Sequence, residues 1–318
     1  MKEKQNAKIN WDRLSANPNA ILILEQNPDK INWKYLSENK NAIHLLEQNR
    51  DKINWDWLSA NENAIHLLEQ NLDKVNWCWL STNINAIHIL KCNLDKVDWD
   101  WLSANSNAIS ILESNKNKIN WGRLSANENA IHLLKYNLNK VNWDWLSRNP
   151  NAISILEKNI NKIEWDWLSM NINATSILES NLDKVNWYNL SMNKNAIYLL
   201  ERNLNKVDWS SLSTNSNAMH ILKCNLNKID WGSLCENPNG ICLLENNLDK
   251  INWDLDWDWL SANPNALHLI FTYNYSAMKK QLQFFAEELA KYVFHPLRLM
   301  RFCEKYGMVL DEYVEIFG

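Results

Sequence analysis

Apolar residues recur along this chain with a period of 22 residues. Trp11, Trp33, Trp55, Trp77, Trp99, Trp121, Trp143, Trp165, Trp187, Trp209 and Trp231 are evenly spaced, and Trp253 continues the series. With the Trp as position 1, each unit approximates W-D-W-L-S-x-N-x-N-A-I-x-L-L-E-x-N-x-D-K-I-N. Leu holds position 4 from Leu14 to Leu260, and Ile or Val holds position 21. Positions 10, 11 and 14 repeat as an apolar set, Ala20, Ile21 and Leu24 in the first unit, widened by Ile23 at position 13. Asn columns run at positions 7, 9 and 17, and a Lys column at position 20. The twelfth unit carries an insertion, Trp253-Asp254-Leu255-Asp256, after which Trp257 restores the register. A fixed period in this range signals stacked repeats.

The pattern predicts two short helices per unit. The Asn or Asp at position 22 is a good N-cap. With position 21 before it and the Leu at position 4 inside, it has the spacing of a hydrophobic staple. The second helix is predicted to follow the Asn at position 7, with Pro18, Pro150, Pro238 and Pro264 at its first helical position. The Asn at position 17 suits a left-handed residue after the helix end. Helices this short are marginal alone, so stability must come from stacking. Burial of the Trp column is expected to dominate, with a Trp→Ala change costing about 3–5 kcal/mol.

The repeat stops after Asn265. Ser276 to Val293 reads as an amphipathic helix with Met278, Leu282, Phe285 and Leu289 on one stripe. A second helix opens at His295-Pro296 and ends at Gly307, and Val309 to Phe317 forms a third. The predicted fold is therefore all-α: an α-solenoid of twelve units over residues 1–272, with a helical C-terminal cap over 273–318. An open solenoid needs a polar face at each end. The first unit lacks one, because Ile21 and Leu22 are apolar, and either a homodimer through this N-terminal end or Met1 to Ala7 folding back is expected to cover them.

Composition narrows the function classes. The 318 residues carry a net charge of −4 with a pI near 6.0, which disfavours nucleic acid and anionic membranes as partners. No apolar run approaches a membrane span, and the N-terminus has no secretory signal pattern, so a cytoplasmic location is expected. The six Cys form no CxxC pair and read as reduced thiols. Only five Gly and six Pro leave little room for hairpins or phosphate-cradling loops.

Four columns are candidates for chemistry. His occupies position 12 at His44, His66, His88, His132, His220 and His268, but adjacent units stack about 8–10 Å apart, too far for shared metal ligation at about 2 Å. The Lys column has acids within reach, which argues for charge balance over a phosphate-tracking row. The Asn columns are too regular to be a recognition code and read as capping and inter-unit hydrogen bonds. Position 3 varies: Trp57, Trp79, Trp101, Trp145, Trp167 and Trp259 alternate with Arg, Tyr, Asn and Ser. A position that tolerates Ser and Arg is not deep core, and a run of partly exposed Trp has the composition of a protein-binding hot spot. These six Trp are the expected partner-binding residues. The competing reading is that each packs on the next unit's first helix. No catalytic constellation, metal-ligand set or cofactor motif stands out, so neither enzyme activity nor a cofactor is expected.

Units of the form W-x-x-L-S-x-N-x-N-A-I-x-L-L-E-x-N resemble repeat arrays of nucleocytoplasmic large DNA viruses, the mimivirus-like giant viruses. Val293-Phe294-His295-Pro296-Leu297-Arg298-Leu299 resembles a C-terminal motif of the same proteins. The resemblance implies a viral repeat protein in the host-cell cytoplasm or in the virion, and it implies no activity. The expected function is a scaffold for protein–protein interaction. The alternatives are a nucleic-acid binder using the Lys row and the position-3 aromatics, or a virion structural component.

Overall fold

A computed structural model of the chain describes residues 2–3, 9–253 and 256–272. The C-terminal cap expected over 273–318 lies outside the described residues. The chain divides into two compact units, Gln5–Ile270 and a second comprising Met1–Lys4 with Phe271–Gly318. The described part of the second is one antiparallel pair, β1 (Lys2–Glu3) with β2 (Phe271–Thr272), Lys2 opposite Thr272.

The first compact unit is the repeat array, an all-helical α-solenoid. Among the described residues it holds 24 α-helices, α1 to α24, two per repeat. In the first repeat they are α1 (Trp11–Ala16) and α2 (Ile21–Gln26), and in the twelfth α23 (Trp257–Ala262) and α24 (Leu267–Ile270). Trp257, not Trp253, takes position 1 of the twelfth repeat.

The first helix begins where the sequence places it. Asn10 Oδ1 accepts from the Arg13 amide at 3.0 Å, and Asn or Asp at position 22 caps most later first helices likewise. Glu164 holds this place once and makes no side-chain cap. The second helix begins at position 11, three residues later than predicted. Positions 8 and 9 form a turn instead, tied by the position-7 Asn, whose Oδ1 accepts from the position-9 amide. The Asn at position 17 is not left-handed: Asn27 has φ −136° and ψ 59°. Its amide nitrogen instead donates to the Ile23 carbonyl at 2.8 Å, which satisfies the helix end without a positive φ.

The core also differs from expectation. Leu at position 4, Ala at position 10 and Leu at position 14 are buried at 0% exposure in almost every unit, from Leu14, Ala20 and Leu24 onward. Position 21 joins them, as at Ile31 and Val75. The Trp column does not: its members are half-buried at the seams, with Trp257 the buried exception. Nine of the position-20 Lys, from Lys52 to Lys228, lie over the indole of position 1 in their own unit, 4.6 Å for Lys52 over Trp33. The Lys column is thus seated on aromatic faces, not primarily balanced by acids.

Two polar columns, buried as deeply as the leucines, bind unit to unit. Ser at position 5 donates to the position-1 carbonyl and accepts from the position-22 amide that leads into the next unit, as Ser15 does with Trp11 and Asn32. The position-7 Asn donates to two carbonyls of the preceding unit, Asn39 to Ser15 at 2.9 Å and Asn17 at 3.1 Å. Asn41 at position 9 donates to the Pro18 carbonyl. Among the described residues no buried side-chain N or O atom lacks a hydrogen-bond partner.

The same bond set joins the first unit to the twelfth. Asn17 donates to the carbonyls of Ser261 and Asn263 at 2.9 and 3.2 Å, Asn19 to that of Pro264 at 2.9 Å, and the Asn10 amide to Ser261 Oγ at 3.2 Å. Helix α1 packs on α23 as it does on the first helix of the second unit. The solenoid of residues 5–270 therefore closes into a ring of twelve units, about 30° of turn each. The N-terminal end, expected to be an open apolar face at Ile21 and Leu22 awaiting a homodimer, is occupied by the twelfth unit. Ile21 is half-buried, and Leu22 is 69% exposed as a single residue on α2.

Candidate functional site on the inner wall of the ring

First helices of successive units pack directly on one another, whereas second helices stand farther apart. In a closed ring the more closely spaced elements lie at the smaller radius, so the first helices form the inner wall. Twelve helices at about 8–10 Å between axes, each about 10–12 Å across with side chains, leave an opening roughly 20 Å wide.

Helical periodicity decides which residues face that opening. Positions 4 and 5 point into the core, so positions 3 and 6, and at the margin position 2, point away from it. Burial agrees: position 2 is mostly exposed and positions 3 and 6 are mostly half-buried. Arg13 acts electrostatically on both Glu38 and Glu236, at position 6 of the second and eleventh units. Burial pushes both carboxyls above the ordinary range, and Arg13 pulls each back in part, helped at Glu38 by Lys34.

All six sequence-predicted Trp lie on this inner surface. Trp79 and Trp259 are 47% and 39% exposed, and Trp57, Trp101, Trp145 and Trp167 are half-buried. They meet between units: Trp79 stacks on Trp101 at 6.3 Å and Trp145 on Trp167 at 6.0 Å, while Trp57 meets Tyr35 at a tilt, 5.9 Å away. Cations of the chain cover several of them, with Arg13 over Trp259 across the closing seam and Arg123 over Trp101 at 4.4 Å. The position-3 side chains therefore form an inter-unit ladder and keep part of their surface open. Units nine to eleven interrupt it with Asn189, Ser211 and Ser233.

The acids beside this ladder escaped the sequence reading. Position 2 carries Asp12, Asp56, Asp100, Asp144, Asp166 and Asp258, all exposed. Five of them accept from the Asn that caps the next unit's first helix, as Asp12 does from Asn32 at 2.7 Å and Asp258 from Asn10 at 2.8 Å. With Glu38 and Glu236 they make eight acids on positions 2, 3 and 6, against four cations, Arg13, Lys34, Arg123 and Arg148. The alternation of Asp with Trp was the available signal.

The His column is elsewhere, on the second helices. Each of the six position-12 His rings hydrogen-bonds the position-15 Glu of the preceding unit, at 2.8 Å for His44–Glu25 and 2.7 Å for His268–Glu245. Tyr198 repeats the contact with Glu179. The column is thus an inter-unit hydrogen-bond row. Among the described residues, no helix is long and apolar enough to cross a membrane.

Compared with family models, characterised proteins and solved structures, the chain matches none.

Proposed function

We propose that the ring is a non-enzymatic scaffold that binds a protein segment along its inner wall, in a viral repeat protein of the host-cell cytoplasm or the virion. The observation that carries this reading is the partly open aromatic ladder of Trp57, Trp79 and Trp101, held in place by a rigidly bonded ring. Aromatic side chains supply large contact area at low entropic cost, and they concentrate where interfaces derive their energy. The excess of acids beside the ladder opposes a phosphate backbone, which counts against the nucleic-acid alternative.

Changing Trp57, Trp79 and Trp101 together to Ser, the residue at position 3 of two other units, tests the reading. The variant is expected to keep its circular dichroism spectrum and to lose most partner capture from host extract. Unfolding of the variant would make these residues core, and unchanged capture would place the interface elsewhere.

A further inference from the structure

We infer that the inner-wall arc of units three to five takes an extended, lysine- or arginine-bearing peptide segment, with a cation seated on the open face of Trp79 beside the carboxylates of Asp56 and Asp100. This rests on the scaffold reading and adds the chemistry of the partner.

Three observations converge. The Trp faces of this arc already accept cations from the chain itself: Lys34 lies 5.3 Å from Trp57 and Arg123 lies 4.4 Å from Trp101. Trp79, between them, is 47% exposed, and no cation of the described residues covers its face. A cation over an indole is attracted by the negative face of the ring, more strongly where water is excluded.

The carboxylates supply the second part. Asp56 and Asp100 are exposed, and each is fixed by one Asn amide, from Asn76 at 2.7 Å and Asn120 at 2.8 Å. A carboxylate has roughly four acceptor sites, so each retains capacity for an incoming ammonium or guanidinium. The acid excess of the whole inner wall adds a field that attracts a basic segment.

The spacing supplies the third. An extended chain advances about 6.6 Å every second residue. The position-3 side chains advance by a similar step, Trp79 and Trp101 having centroids 6.3 Å apart, so alternate side chains of an extended segment keep pace with successive units, one reaching Trp79 and its neighbours the flanking carboxylates. An opening roughly 20 Å wide exceeds the width of one extended chain, so the segment follows the wall as an arc.

The test uses the full-length protein and fluorescently labelled peptides of alternating lysine and serine, with glutamine or glutamate replacing lysine in two controls, and an oligothymidylate of equal length. Anisotropy titrations are run at low and at physiological ionic strength. The lysine peptide is expected to bind about tenfold more tightly than the glutamine peptide, and the glutamate peptide and the oligonucleotide not at all. Asp56→Asn with Asp100→Asn, which preserves an acceptor for Asn76 and Asn120, should weaken the lysine peptide about fivefold. The same charge change at exposed Asp73→Asn with Asp95→Asn should leave it unaltered. Equal losses in the two double variants would reduce the effect to net charge and overturn the inference, as would tighter binding of the glutamate peptide or the oligonucleotide. A glutamine peptide that binds as tightly as the lysine peptide, and loses binding in the triple Trp variant, would overturn the cationic preference and leave the scaffold reading standing. If the triple Trp variant binds every peptide as the unaltered protein does, both readings fall.

Discussion

At the scale of the residue, the position-7 Asn has two functions that rest on different atoms. Its Oδ1 caps the turn into the second helix, and its Nδ2 bonds two carbonyls of the neighbouring unit. Asp could perform the first and not the second, which explains an amide in every unit. The position-5 Ser column is similarly paired, and Cys235 stands in it once. That thiol is buried, and its ionisation is pushed up to about 12, chiefly by burial and further by Asp256 and Asp230, so it stays neutral. Burial shifts Glu38 and Glu236 in the same direction. Their folded-state ionisation lies above the ordinary carboxylate range, so the folded state binds protons more readily than the unfolded chain. Their contribution is favourable at acid pH and is lost as pH rises through the raised values. Glu38→Gln with Glu236→Gln should therefore raise the melting temperature at pH 7 and give little gain near pH 4. A larger gain at pH 4 than at pH 7 in a thermal melt would reverse the sign.

At the scale of the element, each helix is too short to persist alone and is defined by what lies across the seam. The first helix buries positions 4 and 5, turns positions 3 and 6 to the opening, and leaves its Trp at the edge under a Lys. Burial area then ranks the side chains. Leu102 is wholly buried, whereas Trp99 is half-buried and partly covered by Lys118. Leu102→Ala should cost about 2–5 kcal/mol, through lost transfer energy and a cavity. Trp99→Ala should cost less, about 1–2 kcal/mol, because part of the indole is already in water and its removal at the seam leaves no sealed cavity. Chemical denaturation of the two variants checks the order, and a larger loss at Trp99 would restore the Trp column as the core.

At the scale of the whole array, closure removes the end faces that an open solenoid must cap. It also makes the first seam equivalent to every other. Asn17 bonds Ser261 and Asn263 as Asn105 bonds Ser81 and Asn83. Asn105→Ala leaves the Ser81 carbonyl without its side-chain donor, strips one of two donors from the Asn83 carbonyl and removes a turn cap, a cost of about 2–3 kcal/mol. In a closed ring Asn17→Ala costs the same. In an open solenoid Asn17 would have no preceding unit, and the substitution would cost only its cap, about 1 kcal/mol. Equal destabilisation in urea melts supports closure, and a clearly smaller effect at Asn17 would open the ring.

The sequence by itself determined the unit: its period, its two helices, the position-22 cap, the buried Leu, Ala and Asn columns, and the restored register at Trp257. These depend on residues near each other in the chain or repeated identically, so local spacing is enough to read them. It also picked out position 3 as the variable aromatic position. Only the tertiary structure decided that the array closes, because closure is the accumulated result of twelve small rotations. No unit records its own angle, and a slight change in each would give an open spiral with the same consensus. The partial exposure of the Trp column, the seating of Lys on indole and the gathering of Asp beside the position-3 Trp also follow from that curvature. Bringing the first helices to the smaller radius sets which side chains meet across a seam.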